Sequence, residues 1–298
     1  MTRTATWNKI GTSIKEANSA AEALEIAHLN YEVVKAPVYL SNGHRIPNVA
    51  CTKVKGGDKT FGIVGSNYGI VQNADAFSFV DSMIPEGLSF ERAVETPDAI
   101  YLIAALPDQY ILDDGFRPYV IFQNSHCGRS LMKATIAPLR IVCENQFTST
   151  FRNADSKIAL RHTATVNDKL ALAEEVFKSS NKYLTEFAAK ANKLATTHLT
   201  EDQMLDIVDV YFNIEDAETS VRKANTIIRN RQDFMSAYQA PDNANFVGTA
   251  WGMMNAFSDF ITHRETKKTK TADTSKFINV TFNANLFDKF QQVVMSKV

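Results

Sequence analysis

The chain is poor in the residues that several architectures require. Its three cysteines, Cys51, Cys127 and Cys143, are an odd count in 298 residues and cannot build a disulfide framework. No apolar run approaches the ~18 residues that span a bilayer, which argues against a transmembrane helix. The opening Met1-Thr2-Arg3-Thr4-Ala5-Thr6-Trp7 lacks the apolar stretch of a secretory signal, so a reduced, intracellular protein is expected. Phosphate-cradling loops are missing too. Gly62, Gly65 and Gly69 do not fit a dinucleotide spacing, and no segment satisfies the Walker A pattern. GxSxG and HExxH motifs are also absent. Neither sign of charge dominates: 32 basic and 33 acidic residues leave a net charge of −1, which excludes a globally basic nucleic-acid binder. What remains is a globular composition, 45% hydrophobic and 22% charged, long enough for one large domain or two ordinary ones.

The charges are unevenly placed. From Asp81 to Asp114 there are eight acids against the single base Arg92. From Arg129 to Arg161 the bases Arg129, Lys133, Arg140, Arg152, Lys157 and Arg161 face only Glu144 and Asp155. A further basic stretch holds Arg264, Lys267, Lys268, Lys270 and Lys276. Such patterning permits a basic face on a neutral protein, although ordinary solvated surface produces clusters of the same kind.

The first half reads as strands and turns. Ser19-Ala20-Ala21-Glu22 is a capping box opening a short helix. Strands follow at Tyr31–Lys35 and Val38–Leu40, closed by Ser41-Asn42-Gly43. Val49–Lys55 and Thr60–Val64 are joined by Gly56-Gly57-Asp58, a hairpin turn more than a phosphate loop. Ala74–Met83 reads as helix, and Ala99–Leu106 and Tyr119–Gln123 as strands rich in Ile, Leu, Tyr and Val. Pro138 suits the first turn of a helix from Leu139 to Arg152, with Leu139, Cys143, Phe147 and Phe151 on one stripe and Arg140, Glu144, Thr148 and Arg152 on the other. From Asn167 the period is helical. Leu170, Ala173, Phe177, Leu184, Phe187, Ala191 and Leu194 mark a long amphipathic helix. A second capping box at Thr200–Gln203 and helices near Ala217–Tyr238, Thr249–His263 and Asn285–Ser296 follow. The Lys- and Thr-rich segment Thr266–Ser275 reads as loop. The expected fold class is α+β: an antiparallel sheet of hairpins packed on a helix, then a helical C-terminal region. The division falls at 1–165, a candidate nucleic-acid-binding core, and 166–298.

Few residues point to catalysis. In Asn124-Ser125-His126-Cys127-Gly128-Arg129 the adjacent His and Cys cannot form a nucleophile–base pair, because neighbouring strand side chains point to opposite faces. Zinc would need paired spacings that Cys127, Cys143, His126 and His162 do not offer. Glu174-Glu175 and Asp202, Asp206 and Asp209 read as solvated helix faces. Aromatic and basic residues do interleave at Tyr31, Lys35, Tyr39, Lys53, Lys55, Lys59, Phe61 and Tyr68. Cations that track phosphates and rings that stack on bases are what sequence-tolerant single-strand binding needs. Strand alternation would equally place half of these rings in the core.

Several segments carry a family resemblance. Thr6-Trp7-Asn8-Lys9-Ile10-Gly11 resembles the Trp…Gly opening of the phage/plasmid-like family called domain of unknown function 932. Tyr68-Gly69-Ile70-Val71-Gln72-Asn73-Ala74-Asp75-Ala76-Phe77 continues the match. So does Asn124-Ser125-His126-Cys127-Gly128, where the family usually carries Ser-His-Asp-Gly and Cys127 is a departure. The best-matching piece is Pro138-Leu139-Arg140-Ile141-Val142-Cys143-Glu144-Asn145, followed by Arg161-His162-Thr163. Gly248–Phe257 resembles the family's Trp…Asn-Ala segment. The resemblance implies a phage or mobile-element origin and a host-cytoplasmic location, without a settled activity. A looser likeness, in the order of elements, is to single-strand annealing recombinases of the Redβ, Erf and Rad type, which pack a hairpin sheet against a long helix and assemble into rings or helices.

Together these readings lead to the expectation of a non-enzymatic phage recombination protein. It would bind single-stranded DNA, promote ATP-independent annealing as a homo-oligomer, and need no cofactor, metal or membrane. The expected nucleic-acid contacts are Lys53, Lys55, Lys59, Arg129, Lys133, Arg140, Arg152, Lys157 and Arg161. A rival is a phage accessory protein that binds a host protein, as in counter-defence, through the acidic Asp81–Asp114 region. A third is an enzyme centred on His126, Cys127, Arg140 and His162.

Overall fold

A computed structural model describes residues 10–112, 114–129, 132–140, 145–146, 157–159, 166–213, 220–263 and 284–298. Near the start, β1 (Thr12–Ser13) precedes α1 (Ala20–Ile26). Ser19 caps α1, its Oγ accepting from Glu22 N at 3.1 Å. The Glu22 carboxylate reaches back one residue further than a strict capping box would, accepting from Asn18 N at 2.8 Å.

β2 (Val33–Tyr39), β3 (Arg45–Val54) and β4 (Thr60–Gly65) form a separate three-stranded antiparallel sheet. Its two turns are those expected from Asn42-Gly43 and Gly56-Gly57. Gly43 and Gly56 sit at φ 84° and 71°, where a side chain would be strained. Then α2 (Asn73–Phe77) gives way to a 3-10 turn over Ser78–Met83, where the sequence suggests one helix.

The larger sheet adds β5 (Ser89–Glu95), β6 (Ile100–Ala105), β7 (Gln109–Ile111), β8 (Asp114–Asn124), β9 (Lys133–Arg140), β10 (Asn145–Gln146) and β11 (Lys157–Ala159). Its order is β1-β5-β6-β8-β9-β10, with β7 beside β8, β11 beside β9 and every pair antiparallel. All six residues of β6 are buried, so the sheet is covered on both faces and its centre reads as a continuous apolar run. On one face Leu102, Ala104, Val120, Phe122, Ala134 and Ile136 share a core with α1, α2 and the long helix α3 (Val166–Thr196). On the other, Tyr101, Ile103, Tyr119, Ile121 and Ala137 pack with Ile10 and Val94.

The helix expected from Leu139 to Arg152 is corrected. Leu139 and Arg140 end β9, and β10 turns back onto them with Asn145 opposite Arg140 and Gln146 opposite Leu139. Residues 141–144 and 147–152, the rest of that segment, lie outside the described residues. Two physical facts explain the misreading. A spacing of four is a multiple of the strand period of two as well as close to 3.6, so Leu139, Cys143, Phe147 and Phe151 do not discriminate. And Pro138 costs nothing in its ladder with β8. It faces Pro118, whose carbonyl accepts from Leu106 N at 2.8 Å on the opposite side of β8. The Pro118–Pro138 position is therefore a non-hydrogen-bonded pair, and no N–H is missing between the two strands.

The helical region continues with α4 (Glu201–Tyr211), α5 (Val221–Tyr238), α6 (Ala250–His263) and α7 (Ala284–Met295). Thr200 closes a complete capping box on α4, and Ser220 caps α5. The helix that lies on the sheet is α3. Leu172, Ala173, Val176, Tyr183 and Leu184 join the sheet core. One turn later Phe187, Ala191 and Leu194 join a second core built from α4 to α7, with Ile111 and Phe116 of the sheet. One amphipathic stripe thus serves both cores.

Candidate functional site

The most polar buried cluster lies where β8 ends against the small sheet. Asn124, Ser125, His126 and Cys127 are all buried, His126 to 2% exposure. The loop is held from several sides. Thr52 Oγ1 of β3 donates to His126 O at 2.7 Å, Tyr68 Oη to Ser125 O at 3.2 Å, and Ser125 Oγ to Asp98 O at 2.7 Å. Two glycines permit the docking. A Cβ on Gly62 would stand 3.1 Å from Cys127 O, and Gly128 turns the chain at φ 75°.

At its centre Asn73 fixes the protonation of His126. Asn73 Nδ2 donates to Leu29 O at 2.8 Å, which turns Oδ1 toward Asn124 Nδ2 (3.0 Å) and His126 Nε2 (2.9 Å). An amide oxygen only accepts, so Nε2 carries the imidazole proton and Nδ1 is a bare acceptor. Nδ1 is buried with no hydrogen-bond partner among the described residues. Burial lowers the His126 pKa to about 4, against a smaller opposing pull from Glu95, so the ring is neutral at ordinary pH. Phe61 packs on the imidazole at 5.2 Å and Tyr31 stacks on Phe61 at 5.8 Å. Lys59 stands over both aromatic rings and pairs with Glu95, which also accepts from Tyr31 Oη at 2.5 Å.

This arrangement does not activate a nucleophile. Cys127 Sγ lies 3.1 Å from Ser125 Oγ and 3.5 Å from Asp98 O, and the imidazole turns to Asn73 instead. Among the described residues no group of three or more His, Cys, Asp or Glu is placed to hold a metal.

The expected nucleic-acid contacts are scattered and largely spoken for. Lys55 pairs with Glu32 at 2.6 Å, Lys59 with Glu95, and Arg129, 80% exposed at its side chain, approaches Asp98 at 3.8 Å. Lys53 is half-buried on β3. Lys133 starts β9 opposite Gln123, and Lys157 starts β11 opposite Thr135. Arg140 is a strand residue at the end of β9, while Arg152 and Arg161 lie outside the described residues. The acidic run is spent in the same way. Asp81 accepts from Ala20 N at 2.6 Å, Glu91 pairs with Lys15, and Asp108 with Arg117, besides Glu95 and Asp98. The charge asymmetry along the chain is thus partly cancelled across it.

A lysine-bearing surface that sequence reasoning missed runs along α3, beginning one turn after the exposed pair Glu174 and Glu175 on the same side. Lys178, Asn181, Lys182, Thr185, Ala189, Asn192, Lys193 and Thr196 are all exposed on the side opposite Tyr183, Leu184, Phe187 and Ala191. Lys178, Lys182 and Lys193 have no ion-pair partner among the described residues. They span 16 residues, roughly 22 Å of helix. The signal was present in the sequence as the polar complement of the apolar stripe.

No helix among the described residues is long and apolar enough to cross a membrane. No curated protein and no solved structure matches the chain. A family model described as "Domain of unknown function (DUF932)" matches residues 60–281. That match takes in the small sheet's last strand, the buried His126 loop, the large sheet from β5 onward and the helices through α6, and by it the chain belongs to the DUF932 family.

Proposed function

We propose that this protein binds single-stranded DNA along the exposed face of α3 and promotes annealing of complementary strands as a homo-oligomer, without nucleotide hydrolysis. The observation that carries the reading is the row of exposed lysines Lys178, Lys182 and Lys193, without ion-pair partners among the described residues and with amide and hydroxyl side chains between them. Lysines spaced over several helical turns neutralise successive phosphates, and Asn and Thr add contacts without reading sequence. The likeness to annealing recombinases rested on a helix at Arg140–Arg152, where Leu139 and Arg140 are strand, so the reading stands on α3, the long helix that lies on the strands. The host-protein alternative is less well supported, because five acids of its expected surface are engaged internally. A phage or mobile-element origin and action in the host cytoplasm accompany the proposal.

The test is fluorescence anisotropy with mixed-sequence single-stranded DNA over a range of salt. Wild-type protein should bind at micromolar concentration or better, with affinity falling steeply as salt rises. Lys178→Glu, Lys182→Glu and Lys193→Glu combined should flatten the log–log salt slope by roughly 2, since each single-strand phosphate contact contributes about 0.7. Light scattering with oligonucleotide should give a mass above a dimer. Absence of binding at low salt, or an unchanged slope in a folded triple variant, refutes the reading.

A further inference from the structure

The far end of the β2–β3 hairpin leaves the core. Ala50, opposite Pro37, is the last buried residue of β3 in that direction, and from Pro37 to Val49 no residue is buried. Five residues at about 3.3 Å each carry the tip at Asn42 up to roughly 16 Å past that pair. The arm is a hydrogen-bonded hairpin to its end. Tyr39 faces Arg45, Leu40 N donates to His44 O at 2.8 Å, and Gly43 N donates to Leu40 O at 2.9 Å. A solvated hairpin end is ordinarily polar, yet Tyr39 is 57% and Leu40 52% exposed here.

The structure sorts the aromatic and basic residues that interleave in this region. Tyr31 and Phe61 stack on each other under Lys59, and Tyr68 Oη is spent on Ser125 O. Tyr39 is left over, with no ring contact and no side-chain hydrogen bond among the described residues. The charges sort in the same way. From Val33 to Gly57 the chain has no Asp or Glu, and it carries Lys35, Arg45, Lys53 and Lys55. Lys35 donates to Ser66 O and Tyr68 O, and Lys55 pairs with Glu32. Arg45 is exposed and has no ion-pair partner among the described residues. An unused ring thus stands across the ladder from an unused guanidinium, on an arm without an acid. Pro37 and Pro47, one on each strand of the arm, lack the N–H that an added strand would need, which disfavours docking by sheet extension.

We propose that the β2–β3 arm is a base-stacking site for single-stranded nucleic acid, in which an unpaired base lies on the Tyr39 ring and Arg45 meets the adjoining phosphate. Every base presents a π-face, so one ring accepts any sequence, and a guanidinium holds a phosphate through paired N–H groups. The inference rests on the reading that this protein binds a single strand. It adds a contact to the bases, which the α3 lysines, as phosphate contacts, do not make.

The experiment is anisotropy with a mixed-sequence DNA oligonucleotide and an abasic strand of the same length. One base stacked on a ring strengthens binding roughly five- to hundredfold. Wild-type protein should therefore hold the base-bearing strand at least fivefold more tightly. Tyr39→Ala should remove that preference and leave abasic binding unchanged, and Tyr39→Trp should keep it. Arg45→Ala should weaken both strands alike. Tyr39 is outside the core, so the variants should melt with wild type. If Tyr39→Ala does not fold, Tyr39→Gln should show the same loss. The inference is overturned if wild-type protein treats the two strands alike or binds neither, or if a folded Tyr39→Ala keeps the preference. It is equally overturned if Tyr39→Ala lowers the mass by light scattering without DNA, which would make the arm a contact between copies. The combined lysine variant separates the two proposals: it should weaken both strands and keep the preference. Strands bound alike with a lysine-dependent salt slope remove the arm alone. A Tyr39-dependent preference with an unchanged slope in the lysine variant removes the α3 face alone.

Discussion

Acidification should unfold this protein partly through one residue. His126 has a folded-state pKa of about 4, while an unfolded histidine titrates near 6.5. Above pH ~6.5 both states carry a neutral ring and the group has no effect on the balance. Between the two values the unfolded state binds a proton that the folded state cannot, so stability falls as pH drops, and the loss levels off below about pH 4. The geometry explains the low affinity for protons. Nε2 already donates to Asn73, and the site that would be protonated, Nδ1, is buried with no acceptor to receive its hydrogen. Integrated from about pH 7.5 to about pH 4.5, these pKa values correspond to a loss of about 2.5 kcal/mol. At this chain length that is roughly 4 °C in melting temperature. Carboxylates titrate in the lower part of the range, so the contribution of His126 is isolated by comparison with His126→Gln, whose amide can still donate to Asn73. Thermal or urea denaturation at several pH values should show the wild-type protein losing about 2.5 kcal/mol more than the variant over this interval. Parallel pH profiles would refute both the neutral tautomer and the burial argument.

Other outcomes follow from the same geometry. Asn73→Ala removes hydrogen bonds to Leu29 O, Asn124 and His126 and leaves a buried imidazole N–H unsatisfied, so denaturation should report a loss of about 3–5 kcal/mol. Phe187→Ala empties a site bordered by the rings of Phe116, Tyr183 and Trp251 and should cost about 3–5 kcal/mol, with near- and far-ultraviolet dichroism melting together because α3 joins both cores. Gly128→Ala places a side chain at φ 75° with its Cβ 2.9 Å from Val64 and should lower stability by about 1–3 kcal/mol. Ser220→Ala deletes the cap of α5, and a loss of about 1 kcal/mol is expected in the same assay.

Local chemistry alone determined much of this protein. The Asn42-Gly43 and Gly56-Gly57 turns, the caps at Ser19 and Thr200, and the apolar period of α3 each act over a few residues, so the chain reads out directly as hairpins and helices. The family segments around Asn73, His126 and Asn255 were equally legible. Three matters were decided only by tertiary structure. Whether Leu139–Arg140 became helix or strand depended on β8, because a spacing of four suits both periods and only the register, which sets Pro138 at a non-hydrogen-bonded position opposite Pro118, makes the proline harmless in that pairing. Which charges are free depended on contacts across the fold: Lys59 meets Glu95 and Arg129 meets Asp98, while Lys178, Lys182 and Lys193 of α3, unremarkable in sequence, have no ion-pair partner among the described residues. And the bare, buried Nδ1 of His126 is a property of the packed interior alone, since hydrogen-bond satisfaction is settled by which distant groups arrive beside a side chain, and a linear pattern carries no record of that.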